Sequence, residues 1–292
     1  MITTLSTTLG DLTLPTPVMT AAGCGGPELG RFVDLTTLGA SVTRTITLDP
    51  LEGPASRRFA ETPSGILTDL GMENPGLQAF LAVDLPELAK QQVRTIVSVA
   101  GHRLADYAEI ARRAGGAPGV TGLEVCFLDE DPLAAARALS VVRRDAPPGV
   151  AVLAKLPMGP GLLDLARELS SCGADALVLG LPLMGLVVDP TTLAAFRGGL
   201  AGPATAPLAL DAVWRVHELL PDVPLVGVGG IRSGSDALAM LAAGATAVQV
   251  GAAVLRDPTA AHRVQLELAA LLDPRGLKPA DVVGIAHRGG LT

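Results

Sequence analysis

The segment VPLVGVGGIRSGSDAL, residues 223–238, and its sequel AVQVGAAVLRDP, residues 247–258, each run a short apolar stretch into glycine and then into a helical pattern. Such short apolar runs, rich in valine and bounded by glycine, suit strands buried on both faces. A strand passing through glycine into a helix is a βα unit, and two in succession predict neighbouring parallel strands. Gly229, Gly230 and Gly251 fall at the strand ends. Barrels hold phosphate after their last two strands, where backbone N–H groups at a helix start face the anion and glycine lets it approach. Either half alone is explained as a tight turn; both together favour phosphate.

Outward from this pair, similar units recur almost from end to end. Strands are expected at 17–20, 40–46, 95–99, 120–126, 150–156, 175–179, 224–228 and 246–250, and helices near 27–35, 75–82, 103–114, 132–144, 161–172, 207–219, 234–243 and 258–272. Eight strands, each followed by a helix, predict an α/β (β/α)₈ barrel, expected to be one domain over residues 1–292. Ahead of the first strand, TTLSTTLGDLTLPTP reads as a β-hairpin turning at Gly10-Asp11 and plugging the barrel bottom. Insertions at 47–74 and 181–206 follow strands two and six, so both should overhang the active-site mouth.

Composition narrows the function. The chain has 292 residues, 49% of them hydrophobic but with one Trp, one Tyr and five Phe, so aliphatic side chains must build the core. A net charge of −7 without a basic cluster argues against nucleic acid. The run ALVLGLPLMGLVV (176–188) is too short for a bilayer span, and the N-terminus lacks the pattern of a secretory signal. Three cysteines, at 24, 126 and 172, share no metal-ligand spacing and fit a reduced, cytoplasmic protein. No histidine pair has metal-ligand spacing either.

Lys155 is one of three lysines against nineteen arginines, and it ends the apolar strand VAVLAKLP. A cation there needs a partner. The alternatives are an ion pair with Glu124 on the neighbouring strand and an electron-rich ligand at the mouth.

PVMTAAG, VTRTITL, ETPSGILTDLGMENPG, VAG, LAKLP, GGLAGPA, VGVGGI and AVQVGAA, in that order from about residue 9 to 260, resemble the class 1 dihydroorotate dehydrogenases. These are FMN barrels that oxidise dihydroorotate to orotate. The resemblance implies FMN as cofactor, with Ala21, Ala22, Gly23, Thr45 and Lys155 at the flavin ring. It places Gly202, Gly229, Gly230, Gly251 and Ala252 on the phosphate side, although the family usually has Thr at the position of Ala252. On the substrate side it implies Leu70, Gly71, Met72 and Asn74, with Arg44 replacing a family lysine near flavin and substrate. Members are often homodimers or pair with an iron–sulfur subunit; no residue here chooses between these, and the electron acceptor stays open.

Three amide side chains of the family's orotate site are replaced, by Thr68, by Ser98 and at Gly180 or Leu181. Similar proteins read Leu-Glu-Leu-Asn-Ile-Ser-Cys-Pro-Asn where this chain has LEVCFLDEDPL (123–133), the family Cys being the base that takes a proton from dihydroorotate. Aligned without a gap, the family Asn becomes Cys126 and the Cys becomes Asp129. Cys126 lies three positions early and reads as a small apolar residue. Glu130 and Asp131 read as the acidic start of a helix before Pro132, while Asp129 is open between capping and general-base roles. These departures favour an FMN-dependent oxidoreductase of the CH–CH donor type acting on a different small molecule, with hydride passing to flavin N5 and Asp129, Lys155 and Arg44 as the catalytic set. A true dihydroorotate dehydrogenase with Asp129 as base, a non-catalytic flavin or partner binder, and a flavin-free phosphate barrel are the alternatives.

Overall fold

The computed structural model describes residues 5–54, 58–127 and 131–291. Eight parallel strands form one sheet: Val18–Thr20, Ser41–Val42, Thr95–Val99, Val120–Cys126, Ala151–Pro157, Ala176–Leu181, Leu225–Val228 and Ala247–Val250, here strands one to eight. Each neighbours the next in chain order from strand two to strand eight, and strand eight pairs with strand one through Val248 and Val18. Between strands one and two the ring is closed by Gly39 N–H donating to Val18 O (2.8 Å) and Thr20 N–H to Ala40 O (3.3 Å). The expected strand 40–46 keeps only two residues in the ladder, yet Thr43 and Ile46 continue to donate to Ile96 and Ser98 of strand three.

Two apolar layers follow from this closure. Alternate strand residues point inward, and Met19, Val42, Ile96, Leu153, Val178 and Val226 fill the barrel together with Leu9 and Leu14. Those two leucines belong to the antiparallel hairpin Thr7–Leu9/Leu12–Leu14, whose turn at Gly10-Asp11 is where it was expected. The Thr7 hydroxyl ties the hairpin to Thr246 O, just ahead of strand eight. The other strand faces pack against helices Leu104–Gly115, Pro132–Asp145, Leu162–Ser171, Ala206–Leu219, Gly234–Ala242 and Ala260–Leu272. No helix among the described residues is long and apolar enough to cross a membrane.

The expected helix at 27–35 is replaced by two 3₁₀ turns, Pro27–Arg31 and Leu35–Thr37. Gly26 and Gly30 weaken this stretch as an α-helix, and the Asp34 carboxylate accepts from Thr36 N–H and restarts the chain locally. The two insertions do more than overhang the mouth. Leu183–Val188, Ala195–Ala201, Gly65–Thr68 and Phe59–Thr62 form one four-stranded antiparallel sheet, so the insertion after strand six pairs with that after strand two.

Candidate active site

At the C-terminal end of the barrel, three polar side chains from three strands meet inside the ring. Lys155 on strand five donates to Glu124 Oε1 at 2.9 Å, and Gln249 on strand eight donates to Glu124 Oε2 at 2.6 Å. Glu124 and Gln249 are fully buried and Lys155 is 5% exposed. The Glu124 partner foreseen for Lys155 is therefore present, and Gln249, which sequence reasoning missed, closes the group from the opposite wall. Its only sequence signal was a polar residue in an otherwise apolar inward pattern, AVQV. Gln249 Oε1 is buried without a donor among the described residues. An acceptor left in that state costs about 1–3 kcal/mol, so a bound donor there would be stabilising.

Burial presses the Lys155 ammonium toward neutrality, but the charge of Glu124 and its hydrogen bond outweigh it and leave the amine above its ordinary range. The same burial pushes both thiols up to about 11, with Lys155 only partly opposing it. Cys126 sits beside Lys155 in the strand register and its carbonyl accepts from Tyr107 OH. Burial thus favours the neutral thiol at both positions.

Ala21, Ala22 and Gly23 are held from both sides: Ala21 N–H donates to Val250 O at 2.9 Å and Gly23 N–H to Thr43 O at 3.1 Å. Gly23 adopts φ +83° and a Cβ there would meet nothing within 4 Å, so this backbone faces open space. Thr45 shares a 2.9 Å hydrogen bond with Ser98, the residue standing in place of a family amide.

On the phosphate side, the glycines bring three chain segments together. An added Cβ on Gly230 (φ +70°) would lie 2.5 Å from Ala206 Cβ, and one on Gly229 (φ +134°) 2.9 Å from Ala209 Cβ, so this turn presses on the start of helix Ala206–Leu219. Gly202 (φ +99°) precedes the 3₁₀ turn Pro203–Thr205 that leads into this helix, and its carbonyl accepts from Thr205. Gly251 and Ala252 open the short helix Ala252–Arg256, whose first N–H groups have no intrahelical partner. Helix Gly234–Ala242 is different: Ser233 and Asp236 cap it, and Glu267 Oε2 accepts from Gly234 N–H at 2.7 Å. The N–H groups at the start of that helix are thus already engaged by carboxylates of the chain.

The substrate-side residues are spread along the strand-two insertion. Asn74 is buried and both its amide atoms are used within the chain, accepting from Thr47 and Gly76 N–H and donating to Thr47 Oγ1 and Met72 O. It shapes the loop Leu70-Gly71-Met72, in which Gly71 (φ +57°) and Met72 (φ +55°) are both left-handed. Arg44 is exposed and reaches Glu73 O at 3.4 Å, lining a cleft of about 1040 Å³ with Leu51, Pro54, Arg58, Asn74 and Asp84. Gly180 cannot carry a side chain in this backbone, since a Cβ would lie 2.2 Å from Val228 O. Asp131 caps the following helix through Leu133 and Ala134 N–H, as expected, whereas Asp129 and Glu130 lie outside the described residues.

A closed βα barrel with a buried, ion-paired lysine at its mouth and tight glycine turns after strands seven and eight is of the class that builds its site from the loops after the strands. The family model described as dihydroorotate dehydrogenase matches residues 4–126 and 172–272. Among similar proteins is a dihydroorotate dehydrogenase B (NAD(+)) catalytic subunit of Desulforudis audaxviator, 38% identical over 97% of both chains. Proteins of the same name from Geotalea daltonii, 36% identical over 94% of both, and Geobacter sp. strain M21, 36% identical over 90% of this chain and 92% of that one, are similar too. The chain belongs to the dihydroorotate dehydrogenase family, flavin-dependent oxidoreductases acting on CH–CH donors. The family model leaves residues 127–171 unmatched.

Proposed function

We propose that the chain binds FMN across the barrel mouth and oxidises dihydroorotate to orotate as the catalytic subunit of a larger enzyme. The observation that carries this reading is the end-to-end similarity to chains named as dihydroorotate dehydrogenase B catalytic subunits. It shifts the substrate from the different small molecule favoured by sequence motifs to dihydroorotate itself, because a changed substrate would have to be accommodated within a chain alike from end to end.

The residues fit the flavin. Gly230, Gly251 and Ala252 would offer backbone N–H groups to the phosphate, so the missing family Thr at position 252 costs one hydroxyl and no backbone donor. The pinned, open-faced backbone at Ala21–Gly23 would lie along the ring, and Lys155 would set a fixed positive charge beside it. Bound FMN supplies the two-electron acceptor that no side chain can provide. The protein must then orient the substrate, exclude water and take one proton. Cys24 and Cys126 are held protonated by burial and do not take it. Asp129, aligned with the family's Cys, is the assigned base; Arg44 and the backbone of Leu70–Met72 are assigned to the substrate.

A second reading, a substrate other than dihydroorotate, rests on the replaced amides. Ser98 is engaged by Thr45, and Gly180 has no room for a side chain. Anaerobic addition of dihydroorotate to the FMN-loaded protein decides. Bleaching of the flavin absorbance with orotate formed is the expected result; a flavin that stays oxidised while bound overturns the dihydroorotate assignment and favours the second reading.

A further inference from the structure

Only one fully buried carboxylate, Glu124, is placed inside the barrel among the described residues, and its two oxygens are claimed from different walls. Oε1 accepts from Lys155 on the adjoining strand five, while Oε2 accepts from Gln249, which reaches in from strand eight on the far side of the ring. Each contact restrains a different torsional freedom of the Glu124 side chain. A lysine ammonium on its own has a flexible four-carbon stem and no preferred direction. Tied to a doubly held carboxylate in a site with 5% exposure or less, it has both direction and a permanent counter-charge.

We propose that Glu124 is a positioning residue: held by Gln249 across the barrel, it fixes the Lys155 ammonium at the mouth and keeps it charged. This rests on the flavin reading above only for what the ammonium then faces; the clamp itself is a property of the chain. The groups around the ammonium are Glu124 and Cys126 from strand four and Cys24 from the segment after strand one, with the Gln249 amide behind Glu124. Both cysteines are held in the neutral thiol form, so Glu124 is the one anion among these neighbours. Burial is the largest single influence on Lys155 and acts against the charge. Without the Glu124 charge the burial that opposes the ammonium loses its main counterweight, and the amine should give up its proton at lower pH than in the parent.

Glu124→Gln is nearly isosteric, and a rotation of the Gln249 amide lets its Oε1 accept from the new side-chain NH₂, so the packing survives while the charge is lost. The chain has three lysines, Lys90, Lys155 and Lys278, so ¹³Cε-lysine labelling yields a spectrum in which Lys155 is identified by its loss in Lys155→Arg. In the protein as purified, Lys155 should stay protonated above the other two, whereas in Glu124→Gln it should titrate below them. FMN affinity of the variant should fall about tenfold per pH unit above that point, while the parent protein shows no such loss. Gln249→Met, which leaves Glu124 charged but frees Oε2, should move the Lys155 titration part of the way and covers the case in which Glu124→Gln does not fold. Identical Lys155 titrations in parent and variants overturn the inference. A shifted titration in a protein that takes up no FMN keeps the clamp and defeats the flavin reading instead.

Discussion

Replacing Lys155 with methionine removes a cation of similar length and leaves Glu124, fully buried, with Gln249 as its remaining partner. Breaking a buried pair by deleting one member costs about 3–5 kcal/mol, because an uncompensated charge is stranded in a medium that solvates it poorly. Gln249 keeps its 2.6 Å hydrogen bond to the carboxylate, which argues for the lower half of that range. A domain of 150–250 residues shifts its melting temperature by about 2–4 °C per kcal/mol, so a loss on the order of 10 °C is expected for Lys155→Met near neutral pH. Acidification should narrow the gap, since neutralising the stranded carboxylate removes the charge. The double variant Lys155→Met/Glu124→Leu should regain most of the loss, because apolar residues of similar volume commonly replace a buried ion pair without penalty. Differential scanning fluorimetry and urea titration of the flavin-free proteins measure this without reference to activity. If Lys155→Met melts within about 2 °C of the parent, or if the double variant melts no higher than the single one, the pair is not a buried, closed unit and the reasoning fails.

Gly230→Val should abolish FMN retention, because φ +70° is strained for valine and its Cβ would meet Ala206 at 2.5 Å; the absorbance of the purified variant reads this directly. With the Cys126 thiol pushed up to about 11 by burial, its alkylation should be slow at neutral pH and quicken as pH rises toward that value. Cys126→Ser should then keep turnover within about threefold of the parent, whereas Asp129→Asn should lower it by at least about a hundredfold at equal flavin content; the opposite ordering in steady-state kinetics returns the base to the cysteine. Burial, with His287 and Arg288 adding to it, holds the His217 imidazole below its ordinary value. A base depressed in the folded state contributes stability above its unfolded value that is lost as pH falls, so the melting temperature should drop from about pH 7 to about pH 5 and drop less in His217→Phe.

The barrel was legible because its signals are local. Buried parallel strands read as short valine- and leucine-rich runs, several helix starts carry a cap or proline, and the glycines after strands seven and eight mark their own turns. Seven of the eight expected helices formed, including the one capped by Asp131. The stretch 27–35 failed because a helical-looking composition there is interrupted by Gly30 and by an Asp34 turn that competes for the same backbone groups. Lys155 could be singled out as a cation in an apolar strand, and its Glu124 partner followed from strand adjacency. Gln249 could not be assigned to the group, since strand eight meets strand four only across a closed ring.

The sequence by itself therefore determined the periodic βα architecture, the hairpin plug, the glycine turns after strands seven and eight and the family to which they point, all of which depend on neighbours in the chain or on ordered motifs. Tertiary structure alone decided how the two insertions pair, with Gly199, Leu200 and Ala201 laddered onto Thr68, Leu67 and Ile66. It likewise decided that Asn74 shapes a loop from within and that three strands converge on one buried carboxylate. Contacts between residues more than a hundred positions apart are set by ring closure, a global constraint that no local pattern of residues encodes.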